Sequence, residues 1–131
     1  MSGVGSWDPE ASAIDDELLG QLMAVREQLE DSDLGLEPEV VTRLAGCMRS
    51  GAEAWQDAAA AHDDEELVTL IQVLTVAEAK LQGCEAGAQS PVIALAAELR
   101  RRHAYPDDLT AWIKAHTTNR FLPHGSLLDK L

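Results

Sequence analysis

The sequence predicts an all-α protein: a compact bundle of four to five helices with a short C-terminal helical turn or a docked tail. Three observations carry this. Apolar residues recur at steps of three and four through most of the chain, which lines one face of a helix of about 3.6 residues per turn. Capping residues and Pro–Gly punctuation divide the pattern into helix-length pieces. No segment of useful length alternates with the period of two that a half-buried strand requires, and no internal repeat is present.

Residues 1–11 hold Gly, Ser and Pro without apolar periodicity and read as a flexible arm carrying Trp7. Ile14, Leu18, Leu22, Val25 and Leu29 then define a first helix over about 13–30. Asp31, Ser32, Asp33 and Gly35 make a turn, and Pro38 suits a first helical position because no backbone donor is needed there. A second helix is expected over about 38–61, with Val41, Leu44, Met48, Trp55, Ala59 and His62 near one stripe. Gly46, Ser50 and Gly51 weaken its middle and permit a bend.

Asp63 or Asp64 caps the next helix, and Glu65 and Glu66 face the positive end of its dipole. Consecutive carboxylates point to different sides of a helix, so capping explains this acidic run better than a metal site does. Leu67, Leu70, Ile71, Leu74, Ala77 and Leu81 give the strongest apolar stripe, flanked by Val68, Val73 and Val76. This helix, ending near Gln82 and Gly83, is expected to be central. Ser90 and Pro91 start a fourth helix over about 91–104 that turns Ile93, Ala96, Ala97 and Leu99 inward, and Pro106 is expected to stop it. A short fifth helix over about 107–116, capped by Asp107 or Asp108, buries Leu109, Trp112 and Ile113. Phe121 and Leu122 are expected to dock on the bundle, Pro123 and Gly125 to turn the chain, and Ser126 to cap a last turn carrying Leu127, Leu128 and Leu131.

A chain of 131 residues, 46% apolar and 25% charged, is expected to form one domain over 1–131 that folds without staples. Cys47 and Cys84 lie within apolar patterns outside any CxxC pair and read as buried, inert thiols. The N-terminus has neither a basic start nor an apolar stretch, and no apolar run reaches membrane-spanning length, so a cytoplasmic location is the expectation.

Charge is distributed unevenly. The formal net charge is −13, but residues 1–99 hold 4 basic and 20 acidic side chains (−16) while residues 100–131 hold 6 basic and 3 acidic ones (+3). The last part also holds three of the four histidines, so 100–131 is a basic, His-containing C-terminal segment. An acidic body repels nucleic acid and anionic membranes, which argues against both as partners and for a protein with a basic surface, or for a second copy of the chain.

Within the segment, Arg100, Arg101 and Arg102 suit the negative end of the fourth helix and also offer guanidiniums to a partner's carboxylates or phosphates. His116, Asn119, Arg120 and His124 are candidates to converge near the end of the fifth helix, with Tyr105 and Trp112 as a possible lining. These seven residues form the candidate partner- or anion-binding set. No catalytic motif, phosphate loop, dinucleotide fingerprint or zinc spacing occurs, so no catalytic residue, metal or cofactor is assigned. The expected function is a small acidic, non-enzymatic protein-interaction or regulatory protein. The alternative is a small-ligand or metal-binding protein that uses the C-terminal His/Arg segment.

Overall fold

The computed structural model describes residues 14–31, 34–48, 50, 52–119 and 122. Among them are six α-helices and no strand: α1 (Asp16–Ala24), α2 (Pro38–Cys47), α3 (Ala52–Ala60), α4 (Asp64–Lys80), α5 (Pro91–Arg101) and α6 (Leu109–His116). The all-α architecture is the one the periodicity implies. The N-terminal arm, with Trp7, lies outside the described residues.

Helix α4 is the axis of the bundle. Leu67, Leu70, Ile71 and every residue from Val73 to Glu78 are buried, so this helix is covered around most of its circumference. Thr75 sits in that interior because its hydroxyl donates to the Ile71 carbonyl one turn back, at 2.7 Å. Helices α1, α5 and α6 pack against α4, and α3 packs on α5. The start of α4 is fixed by a reciprocal capping box: Glu66 N–H donates to the Asp63 carboxylate at 2.8 Å, and Asp63 N–H donates to Glu66 at 3.1 Å. The acidic run at 63–66 thus serves capping.

Three boundaries differ from the sequence expectation. The first helix ends at Ala24 and continues as a 3₁₀ turn, Arg26–Gln28, which still delivers Val25 and part of Leu29 to the core. Lys80 at the end of α4 donates to the carbonyls of Leu29 (2.7 Å) and Asp31 (3.3 Å), holding the chain where it leaves that turn. Leu34 follows in the left-handed region (φ 59°), yet its side chain is fully buried. Burial worth roughly 1.5–3 kcal/mol offsets a backbone cost of about 1–2 kcal/mol.

The expected second helix is two helices: α2 ends at Cys47 and α3 begins at Ala52, in a stretch of the sequence where helix propensity is poor. The break is held by Trp55: its indole N–H donates to the Cys47 carbonyl at 3.1 Å, and its ring is 1% exposed. A bend would have left that carbonyl within a continuous ladder; a full break lets one buried aromatic cap α2 and fill the core from α3.

Helix α5 begins as expected, with Ser90 Oγ accepting from Val92 N–H at 3.1 Å. It ends at Arg101 rather than near 104, and Pro106 is not what stops it. Ala104 N–H donates to the Leu99 carbonyl (2.9 Å) and His103 N–H to the Arg100 carbonyl (3.0 Å), with His103 at φ 60°. This is the paired closure in which a left-handed residue, normally glycine, ends a helix. Asp108 precedes α6 without a side-chain cap; a hydroxyl pair, Tyr105 to Thr110 at 2.8 Å, ties the loop to the first turn instead. Leu109 and Ile113 are buried as expected, Trp112 only partly, and Leu122 docks at 1% exposure. The remaining expectations for the tail, at Phe121, Pro123, Gly125, Ser126, Leu127, Leu128 and Leu131, fall outside the described residues.

Because His103 is exposed and held at positive φ, His103→Gly is expected to stabilise the fold by about 0.5–1 kcal/mol and raise the melting temperature by a few degrees. Thermal unfolding followed by circular dichroism checks this; an unchanged or lower melting temperature would count against strain at that position.

Candidate functional site

The C-terminal candidates divide between opposite ends of the bundle. Ser90 precedes α5 and Arg102 follows it, which at 1.5 Å rise per residue separates them by about 18 Å. Glu78, near the end of α4, meets Ser90, while Asp64, at its start, meets Arg102. Helices α4 and α5 are therefore antiparallel, and Arg100, Arg101 and Arg102 lie at the end remote from Asn119, which also contacts Glu78.

At the arginine end, Arg102 acts inside the fold. It donates to the carbonyls of His62 (2.9 Å) and Ala59 (3.2 Å), where α3 ends, and to the carboxylates of Asp64 (3.0 Å) and Glu98 (2.7 Å). One guanidinium thereby caps α3 and joins α3, α4 and α5. Arg101 donates to both oxygens of Glu98. The side-chain hydrogen bonds from Arg101 and then Arg102 draw the Glu98 carboxyl down to about 2, with burial opposing them. Arg100 is exposed, and its guanidinium stands 5.5 Å from the centre of the Tyr105 ring.

At the other end, a cleft of about 750 Å³ opens between the end of α6 with the segment after it and the end of α4 with the α4–α5 connection. Lys114, His116, Thr117, Thr118 and Asn119 line it from the first side, and Glu78, Ala79, Glu85 and Gly87 from the second. His116 stacks on Trp112 with ring centroids 3.9 Å apart, and its Nδ1 lies 2.7 Å from the Trp112 carbonyl. A proton on Nδ1 makes that contact a hydrogen bond and leaves Nε2 as the acceptor of the neutral ring. The Asn119 amide donates to Glu78 (3.2 Å) and to the Gly87 carbonyl (3.0 Å).

Glu78 organises this end. Its carboxyl, 6% exposed, accepts from the Ser90 hydroxyl, the Asn119 amide and the Ala86 backbone N–H. Burial pushes its pKa above the ordinary value of 4.5, and the three hydrogen bonds oppose that rise. Burial likewise pushes the neighbouring Cys84 thiol up to about 11, with the Glu85 and Glu78 charges adding to the effect. Cys84 and Cys47 are both fully buried.

Of the seven candidates, the cleft unites His116 and Asn119, while the arginine run sits elsewhere. Arg120 and His124 lie outside the described residues. Sequence reasoning missed Glu78, Ser90's second role and Glu98. The available signal was a single carboxylate at 78 within an otherwise apolar helix stretch, which burial obliges to find partners. No group of three or more His, Cys, Asp or Glu side chains among the described residues is placed to hold a metal ion. Nor is any helix among them long and apolar enough to cross a membrane. No protein-family model, no curated protein and no solved structure matches this chain.

The two buried carboxyls give opposite pH signatures. Glu98, lowered in the fold, contributes stability that is present above the unfolded value of 4.5 and lost as pH falls towards about 2. Glu78, raised in the fold, contributes stability that is present below 4.5 and lost as pH climbs through its folded pKa. Urea unfolding against pH is expected to show a shallower acid limb in Glu98→Gln and a shallower decline above pH 4.5 in Glu78→Gln. Identical slopes in variant and parent would contradict the corresponding assignment.

Proposed function

We propose that this chain is a small acidic, non-enzymatic protein-interaction or regulatory protein that binds a protein partner through its carboxylate-rich exterior. One observation carries the reading: of the seven cationic side chains among the described residues, four are engaged in bonds to other groups of the chain. Arg43 pairs with Asp15 and Glu17, Lys80 holds two carbonyls, and Arg101 and Arg102 close on Glu98 and Asp64. Exposed carboxylates at Glu27, Glu30, Glu37, Glu39, Glu53 and Asp57 face solvent. A surface of that sign raises the encounter rate with a basic partner and disfavours nucleic acid. Self-association, with the basic C-terminal segment of one copy against the acidic body of another, is a variant of the same electrostatics.

A second reading, a small-ligand site that uses C-terminal residues, is favoured by the cleft. Its volume falls within the range of roughly 300–1,000 Å³ usual for ligand sites, and His116 and Asn119 line it.

The interaction reading is tested by fluorescence anisotropy of the labelled chain titrated with a Lys/Arg-rich peptide, alongside sedimentation velocity of the chain alone. Binding or self-association is expected to weaken by at least about tenfold between about 50 mM and about 300 mM salt. Absence of both, or association that ignores salt, would contradict the reading.

A further inference from the structure

We infer that Glu78 is a proton-operated latch on the cleft: while its carboxyl is neutral it holds segment 117–119 against the α4–α5 connection, and when the proton leaves it lets that segment lift into solvent. The latch governs the width of the cleft and operates whatever the cleft binds.

Its basis is the place of one buried carboxyl between separate stretches of chain. Glu78 belongs to α4, Ala86 and Ser90 to the connection that leads into α5, and Asn119 to the segment after α6; the last three all donate to the first. The Asn119 amide also donates to the Gly87 carbonyl at 3.0 Å. Among the described residues no backbone hydrogen bond joins 117–119 to 81–90, so side chains make the crossing. Leu122 is buried three residues further on, which confines the motion to the short stretch before it.

The two charge states treat this arrangement differently. In the neutral group one oxygen carries a proton that Ser90 Oγ accepts beside the Val92 N–H, since a hydroxyl has two acceptor lone pairs, and the other oxygen keeps the Asn119 donor. The ionised group carries a charge that burial penalises. Glu78 borders the cleft, so lifting 117–119 brings water to that charge.

The surrounding groups leave the direction intact. Glu85 on the connection disfavours a second negative charge beside it, and the Cys84 thiol, pushed up to about 11, stays neutral. Lys114 and His116 reach the cleft from α6 as exposed side chains, whose charge water and salt screen. Lys80, further along α4, is turned to the carbonyls of Leu29 and Asp31. Burial is the largest influence on Glu78 and raises its pKa from 4.5, with the hydrogen bonds opposing. The closed state therefore holds the proton more tightly than an open, hydrated one, and opening becomes more favourable as pH climbs through the closed-state value.

The test is NMR of the full chain between about pH 4 and about pH 8, reading the Glu78 side-chain carboxyl carbon together with the backbone amides of 114–119. The carboxyl is expected to titrate above 4.5, and the amides of 117–119 to move with the same midpoint. The Asn119 N–H donates to the Thr117 hydroxyl at 3.1 Å. Its protection from hydrogen exchange, corrected for the intrinsic rate, is expected to fall by at least about tenfold across that midpoint while α4 stays protected. Glu78→Gln is expected to abolish the transition, and His116→Gln, which removes the imidazole from the cleft, to leave it in place. A Glu78 carboxyl that titrates at or below 4.5, or amides of 117–119 that ignore its midpoint, would overturn the latch, and both are read in the parent chain. So would a transition that survives in Glu78→Gln, one that vanishes in His116→Gln, or loss of α4 protection at the same pH.

Discussion

The constraint on which the rest of the structure depends is the burial of α4. A helix covered on nearly all sides cannot use a polar face to reach water, so each neighbour must turn its apolar stripe towards it. Leu18, Leu19 and Leu22 of α1, Leu95 and Leu99 of α5, and Leu109 and Ile113 of α6 are the buried residues that these neighbouring helices bring to the common core. The same burial makes the polar groups on α4 structural. Thr75 bonds to its own helix, and Glu78 gathers a hydroxyl, an amide and a backbone N–H from three later parts of the chain. The cleft exists because that carboxyl pins the segment after α6 beside the α4–α5 connection.

Electrostatics follows from packing in a second way. A chain with few cations places several of them where helices end. Arg102 takes carbonyls at the end of α3, and Lys80 takes those beyond the first helix. The Arg102 contacts are partly buried and close polar backbone groups that would otherwise face a partly dry interior, which favours folding more than a surface ion pair would, whereas those of Lys80 are exposed. The uneven charge along the sequence is thus only partly a surface property: Arg102 binds within the fold, while Arg100 and Arg101 stay exposed.

Much of this was legible in the residues. Steps of three and four located the apolar faces of α1, α4 and α6. On α5 they chose Ile93 and Ala97, which are only partly buried, and passed over the buried Leu95. The Ser90–Pro91 and Asp63–Glu66 signatures marked two starts. What escaped depended on contacts distant in sequence. Gly46, Ser50 and Gly51 show weakness but not how much, and the choice of a break over a bend rests on Trp55 reaching Cys47. The end of α5 was assigned to Pro106 because a left-handed His103 has no strong local signature. In the candidate site, His116 and Asn119 were named from composition and do share a cleft. The arginines were grouped with them because they are near in sequence, and a helix of about 18 Å keeps them apart. The carboxylates of Glu78 and Glu98 were overlooked because nothing local tells a buried acid from an exposed one.

The measurement that tests the central role of α4 most directly is native-state hydrogen exchange of backbone amides as a function of denaturant. If α4 is the enclosed axis, amides from Leu70 to Ala77 exchange slowest and only through global unfolding, with the full denaturant dependence of that transition. If they instead exchange through local openings insensitive to denaturant, or sooner than those of α1 and α6, α4 is not the element on which the fold depends.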